Sequence, residues 1–278
     1  MRIAHIINPF VPSATSDLVV AQPICFETMR RAKKYASDME IGHYACIYPE
    51  DEEILPDNFF RTKDLKQSVL DYGKFGIERR LPLFADILDR LYEASDAEYF
   101  IQTNADISLM PHFYHVVRGL ISIGHESFCI NKRIIPEGYH SISEIPFMYS
   151  EIGDMHAGLD CFVFPRKAYP KFKMGKVCMG TPWSEATLAT SMALHTANFT
   201  VFKTLHATFH IGDSRVWRPS EFRDYRVYNM TEYCKLLKKL KKKNVLLLKN
   251  AIVKNFLNKI QQEAESGVYP EECLKFIK

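Results

Sequence analysis

The alternation running from Arg2 to Asp106 constrains this chain more than any other feature of its sequence. An isoleucine-rich strand over 2–8 is followed by a segment, 22–37, in which Phe26, Met29, Ala32 and Ala36 recur at helical spacing. A second apolar run over 43–48 stops at the polar turn Pro49-Glu50-Asp51. Ile77, Leu81, Phe84, Ile87, Leu88 and Leu91 then mark one stripe of a helix over 76–95, with Pro82 accommodated in its first turn. Ala97 to Asp106 reads as a strand running into a polar loop. Strand, helix, strand, helix and strand in succession predict βαβ units. The expected fold is α/β, with a mostly parallel central sheet flanked by helices. Ligands of such sheets gather beyond the carboxyl ends of the strands, which is where Asn104-Ala105-Asp106 falls.

The later elements are shorter. A helix is expected over 112–122, strands over 126–131 and 160–165, and a long irregular stretch between them marked by Pro136, Gly138, Pro146 and Gly153. Gly180-Thr-Pro-Trp183 opens a helix over 184–197, strands follow at 199–203 and 207–211, and a helical tail runs from about 232 to Gly267. The seven cysteines are odd in number and form no Cys-x-x-Cys pair, which argues against a zinc knuckle or a secreted disulfide framework. The N-terminal apolar run is too short for a signal peptide, and no stretch is long enough to span a bilayer, so a cytoplasmic location is expected.

Charge divides the chain. Residues 231–260 hold nine lysines against Glu232, whereas the whole chain carries only +3, so residues 1–230 are mildly acidic and nucleic acid is not an expected partner. The organisation expected is a catalytic domain over 1–230 and a basic amphipathic helical extension over 231–278. Lys235, Lys238, Lys239 and Lys241–Lys243 alternate there with Leu236, Leu237, Leu240, Leu247, Ile252, Phe256 and Ile260. Residues 235–260 therefore suit either peripheral contact with an anionic membrane or docking on the catalytic domain behind a solvated lysine face.

Four short motifs carry polar chemistry. Asn104-Ala105-Asp106 offers hard oxygen at a strand end. Mg²⁺ and Mn²⁺ bind through one or two carboxylates and complete their shells with substrate phosphates, although the same motif also suits a turn. His210-Ile-Gly-Asp213 follows an apolar strand, where an imidazole can ligate a metal or sit satisfied in the core. In His156-Ala-Gly-Leu-Asp160 the carboxylate leads straight into the apolar strand Cys161–Phe164. An unpaired charge is costly there, so Asp160 pairs with a cation or works in a cleft, and Gly158 permits close approach of the backbone. Trp183-Ser184-Glu185 opens a helix, with Ser184 a candidate cap and Glu185 either favouring the helix dipole or performing acid–base work.

Taken in this order, the motifs resemble the glycosyltransferase-A (GT-A) superfamily, the nucleotide-diphospho-sugar transferases, and within it a branch of glycosyltransferase-like proteins. The resemblance runs from Ile3 to about Trp217. It implies a Rossmann-like fold in which Asp106 ligates Mn²⁺ or Mg²⁺ and His210 completes the metal site. Asn104 stands where the superfamily has the first Asp of its Asp-x-Asp motif. An amide can hydrogen-bond a ribose but is a weaker metal ligand. The resemblance further implies that Asn8, Pro9 and Glu50 or Asp51 border the nucleoside. It places Arg79 and Arg80 on the diphosphate, whose oxygens match guanidinium forks. Glu185 would take the proton of the acceptor hydroxyl, with Asp160, in the sugar-binding region, as second choice. The implied reaction moves a sugar from a UDP- or GDP-sugar donor to a glycan, polysaccharide or lipid-linked saccharide acceptor, with metal and arginine neutralising the leaving group. A non-catalytic nucleotide- or sugar-binding member of the same fold is the alternative that Asn104 keeps open. A nucleotidyltransferase would need a glycine-rich, lysine-bearing phosphate loop near the first strand, which is missing. A lipid-surface scaffold leaves the polar strand ends unexplained.

Overall fold

The computed structural model describes residues 1–213, 220–243 and 250–265. In chain order the elements are β1 (Arg2–Ile7), α1 (Leu18–Tyr35), β2 (Glu40–Ala45), β3 (Phe60–Arg61), α2 (Phe84–Ala94), β4 (Tyr99–Thr103), β5 (Ser108–Leu109) and α3 (Phe113–Ser122). There follow β6 (Phe128–Ile130), β7 (Arg133–Ile135), α4 (Ile145–Met148), β8 (Asp154–Met155), β9 (Cys161–Pro165), α5 (Ser184–His195), β10 (Thr200–Phe202), β11 (Thr208–Ile211), α6 (Arg223–Lys243) and α7 (Ala251–Glu265). They divide into two compact units. The first comprises Met1–Leu65, Arg90–Tyr169 and Thr196–Ser214, and the second Lys66–Asp89, Pro170–His195 and Arg215–Lys278.

The first unit holds a seven-stranded sheet in the order β10-β6-β9-β4-β1-β2-β3. β1 lies parallel to β2 and β4, β2 to β3 and β6 to β10, while β9 runs antiparallel between β4 and β6. This is the mostly parallel α/β sheet expected from the alternation. β1, β4 and β9 are buried almost without interruption, as strands covered on both faces must be. Met29 and Ala32 of α1 and Phe113 and Val117 of α3 pack with Ile3, Ile101, Ile130 and Val163 of the sheet. A polar chain runs through this layer. His5 and His43 are register partners on β1 and β2, and both ring nitrogens facing Tyr114 lie on its hydroxyl, at 3.0 and 2.9 Å. His5 Nε2 is 2.9 Å from Thr103 Oγ1. If His43 Nε2–H donates to Tyr114, Tyr114 to His5 Nδ1, and His5 Nε2–H to Thr103, every ring N–H has an acceptor. Only the lone pair of His43 Nδ1 is then left buried without a partner.

The first unit also holds a small sheet, β5-β11-β7-β8, with β11 antiparallel to β5 and parallel to β7, and β8 antiparallel to β7. Alternation gives it two different faces. Phe209 and Ile135 point into an apolar cluster with Ile24, Met110, Ile145 and Met148. The opposite face carries His210 and its register partner Ile134.

In the second unit α5, α6 and α7 surround Trp183, which packs with Met230, Tyr233, Leu237, Val253 and Ile260. Leu236 is buried too, and Leu240 and Phe256 are partly buried against the same cluster. These aliphatic and aromatic side chains of the basic tail are therefore consumed by the core of its own unit. Lys235, Lys238 and Lys239 are left exposed. The side chains of Lys241–Lys243, along with Leu247 and Gly267, lie outside the described residues. The expected boundary between 230 and 231 falls inside α6. Among the described residues no helix is long and apolar enough to cross a membrane.

The helix expected over 76–95 starts only at Phe84. Pro82 disfavours helical backbone at Leu81, and residues 82 and 83 instead bridge Ser68 and Cys178. Ile77, counted in the helical stripe, is exposed.

Candidate active site

The turn after β4 is closed by the Ile107 N–H donating to the Asn104 carbonyl. The chain then enters β5, whose pairing with β11 carries Asp106 to His210 across 104 positions of sequence. His210 Nε2 lies 3.2 Å from Asp106 Oδ2. His210 Nδ1 is 2.8 Å from the carbonyl oxygen of Gly212, which can only accept, so Nδ1 bears a proton and Nε2 is the atom turned to the carboxylate. Gly212 is required for this turn. Its φ is +69°, and a Cβ there would stand 2.5 Å from Cγ of Glu137.

The pair is strongly coupled. Burial acts to raise the Asp106 carboxyl, but the charge and hydrogen bond of His210, with a contribution from Lys132, hold it at about 2. Burial likewise acts to lower His210, and the charge and hydrogen bond of Asp106 reverse this and raise it. The second oxygen, Asp106 Oδ1, is buried without a hydrogen-bond partner. A charged acceptor stripped of water and given no donor is expensive. A divalent cation would engage both that oxygen and the Nε2 lone pair released when the imidazole gives up its proton. The backbone carbonyl on Nδ1 is the usual outer support of a ligating histidine. Among the described residues no group of three or more His, Cys, Asp or Glu side chains could hold a metal. Two such ligands would suit only a cation, such as Mg²⁺ or Mn²⁺, that takes the rest of its shell from phosphate and water.

At the end of β1 the chain is laced to its surroundings. Asn8 Nδ2 donates to the Cys46 carbonyl at 2.6 Å, and the Val11 N–H donates to Asp51 Oδ1 at 2.9 Å. Gln22, buried on α1, clamps Phe10 from both sides. Its Oε1 accepts from the Phe10 N–H at 3.1 Å and its Nε2 donates to the Phe10 carbonyl at 2.8 Å. Pro9 is buried, Phe10 next to it in sequence is exposed, and Glu50 is exposed as well. Asn8 and Asp51 thus shape the loop through its backbone.

Asp160 precedes β9 and meets two hydrogen-bond donors and one ammonium group. His156 Nδ1 lies 2.8 Å from Oδ2, the Lys132 N–H donates to Oδ2 at 3.1 Å, and the Lys132 ammonium is 3.8 Å from Oδ1. The Asn131 amide donates to the His156 carbonyl at 3.0 Å and fixes the turn that carries the ring. Lys132, Gln22 and the His156–Asp160 pairing were not among the sequence-based candidates. The four-residue spacing of His156 and Asp160 was the visible signal. Lys132 left none, because its role depends on strand register.

Glu185 and the two arginines belong to the second unit. Glu185 is half-buried in the first turn of α5. Ser184 is the first residue of this helix rather than the residue that caps it, and its hydroxyl donates to the Thr181 carbonyl at 2.9 Å. Trp183 just before it has φ +79°, uncommon for a bulky side chain. Arg79 and Arg80 are exposed in the segment before α2. The Arg79 guanidinium lies 4.4 Å from the centre of the Phe222 ring, and the Arg79 backbone N–H donates to Tyr225 Oη at 2.6 Å.

No protein-family profile matches the sequence, and no curated protein matches it. Solved structures do match in fold. S. aureus TarS in complex with UDP-GlcNAc superposes with a TM-score of 0.50 at 6% identity, over 87% of this chain and 73% of that one. M. tuberculosis glucosyl-3-phosphoglycerate synthase in complex with phosphoglyceric acid gives a TM-score of 0.48 at 9% identity, over 83% of this chain and 79% of that one. The TarS superposition identifies the architecture as the GT-A type, a mixed α/β fold with a mostly parallel seven-stranded sheet.

Proposed function

We propose, with the GT-A fold as premise, that this chain is a metal-dependent glycosyltransferase that moves a sugar from a UDP- or GDP-sugar to a hydroxyl acceptor. The observation that carries the reading is the meeting of Asp106 and His210 at 3.2 Å with Asp106 Oδ1 buried and unpartnered. Such an arrangement is poorly satisfied without a cation and lies in the loop after a sheet strand, where α/β folds bind ligands.

Asp106 and His210 would hold Mn²⁺ or Mg²⁺, which when bound supplies the positive charge that stabilises a diphosphate leaving group. Arg79 and Arg80 are proposed, on the sequence resemblance, to offer guanidinium donors to diphosphate, and Asn104 to hydrogen-bond the ribose. Asn8, Pro9, Glu50 and Asp51 frame the nucleoside, Asn8 and Asp51 by holding the loop. Glu185 and Asp160 are the carboxylates proposed to assist removal of the acceptor proton, the acceptor being a glycan, polysaccharide or lipid-linked saccharide. Contact with an anionic membrane would fall to the exposed ammonium groups of Lys235, Lys238 and Lys239, without apolar insertion.

Thermal unfolding in the presence of UDP, GDP and their sugars, with and without Mn²⁺, tests the reading. A nucleotide at 100 times its Kd stabilises by about 2.7 kcal/mol. A shift that needs Mn²⁺ and vanishes in Asp106→Ala is expected, and the absence of any nucleotide shift would refute the proposal. Asn104, an amide that is a weaker metal ligand than a carboxylate, favours one second reading, a nucleotide- or sugar-binding member of the fold without turnover. It would show the Mn²⁺-dependent shift but release no nucleotide diphosphate from the sugar donors.

A further inference from the structure

The donor-site reading leaves the acceptor's proton with a choice of carboxylates, and the small sheet bears on that choice. Its register aligns His210 of β11 with Ile134 of β7 and Ile134 with Asp154 of β8. Cross-strand partners share a face, as do residues two apart along a strand. Lys132 therefore follows Ile134 onto the face of His210. His156 follows Asp154 onto it as well, and the ladder runs on through the His156 N–H donating to the Lys132 carbonyl. Two strand spacings across and two residues along place the Cα atoms of His210 and His156 about 12 Å apart. Lys132 stands between the two sites. Its ammonium is 3.8 Å from Asp160 Oδ1, and its charge acts on both Asp106 and His210.

On that face Asp160 is badly placed to take a proton itself. Oδ2 already accepts from His156 Nδ1 and the Lys132 N–H, and Oδ1 faces the Lys132 ammonium. His156 is placed well. A carboxylate only accepts, so Nδ1 carries the ring proton and Nε2 holds the lone pair. The Gly158 N–H also approaches Nδ1, at 3.2 Å, but the shorter charge-assisted contact decides the tautomer. Nε2 has no hydrogen bond among the described residues, and the side chain is 30% exposed. The ring folds so tightly over its own turn that a Cβ at Gly158 would come within 2.3 Å of His156 Cε1. A carboxylate-oriented imidazole with an open Nε2 is the geometry of a general base.

We propose that His156 is the catalytic base for the acceptor hydroxyl and that Asp160 is its positioning residue, an inference that rests on the glycosyltransferase reading. The acceptor O–H gives its proton to His156 Nε2 as its oxygen bonds to the anomeric carbon. The bond from that carbon to the diphosphate oxygen breaks, and its electron pair leaves with the nucleotide diphosphate. His156 then returns the proton to water. Because the base serves a single displacement, the product has the inverted anomeric configuration.

The experiment compares the wild-type chain with His156→Gln, Asp160→Asn and Glu185→Gln. UDP-glucose, UDP-N-acetylglucosamine and GDP-mannose serve as donors, glycerol as acceptor and Mn²⁺ as metal. General bases contribute roughly 10²–10⁴-fold. His156→Gln is expected to lower kcat at least 100-fold while donor KM stays within threefold, and to abolish the acid limb of the pH profile. Asp160→Asn should lower kcat as well, and Glu185→Gln should keep the limb. Nitrogen NMR of the metal-free wild type, with His156 assigned by difference from His156→Gln, should show neutral His156 protonated at Nδ1. A proton on Nε2, or kcat of His156→Gln within threefold of wild type while Mn²⁺-dependent nucleotide binding persists, overturns this inference alone. Loss of the limb in Glu185→Gln instead moves the base to that residue and also overturns it. Failure of the wild type to bind any nucleotide sinks the donor reading and this inference with it.

Discussion

Acidification from pH 7 to pH 5 should destabilise this protein through His43, and His43→Phe should abolish that part of the loss. His43 is fully buried on β2, and burial, with a smaller contribution from the Lys33 charge, lowers its imidazole from 6.5 to about 3. Between those two values the unfolded chain takes up a proton that the folded chain refuses, so stability falls as pH falls. Each pH unit in that window costs about 1.36 kcal/mol, which makes the loss about 2 kcal/mol at pH 5 and about 3 kcal/mol at pH 4. The phenyl ring has nearly the same shape but cannot bond Tyr114 Oη, which lies 2.9 Å from His43 Nε2. At pH 7 the variant should therefore be about 1 kcal/mol less stable than wild type. At pH 5 it should be more stable by a similar amount, so the two stability curves cross. His5, also lowered by burial, remains in both proteins and cancels to first order. Urea unfolding monitored by circular dichroism at half-unit pH steps measures both curves. A difference between the two proteins that stays within about 0.5 kcal/mol from pH 7 to pH 5 would refute the claim that His43 is held neutral by burial.

Two further outcomes follow from packing. Trp183→Ala removes an indole that is 2% exposed and centred 6.0 Å from Tyr233 and 6.3 Å from Phe256, and should cost about 3–5 kcal/mol in the same urea assay. Gly158→Ala has room to fold only if the His156 ring moves, because its Cβ overlaps the imidazole. Its circular dichroism should match wild type while kcat falls toward that of His156→Gln, and full activity in Gly158→Ala would mean that the ring position does not matter.

The sheet class was legible in the sequence because parallel strands buried on both faces must be apolar throughout, and crossover helices must show a stripe. Ile3, Ile6 and Ile7 on β1, and Ile87, Leu88 and Leu91 on α2, obey those rules and are buried. The order of β9 between β4 and β6 was not legible, since an apolar run reads the same in either direction. The failed start of α2 has a local cause. Ile77 and Leu81 fit the helical period, but periodicity takes no account of the backbone that Pro82 imposes on its predecessor.

Asp106 and His210 could be suspected individually from their positions at strand ends. Only tertiary pairing of β5 with β11 decided that residues 104 positions apart should meet. The same holds for the polar face that Lys132, His156 and His210 share, and for the burial of the tail's aliphatic stripe around Trp183. Chain-local propensities depend on neighbours a few residues away, and these the sequence by itself determined. Which side chains face one another across strands depends on register, and register is a property of the folded sheet.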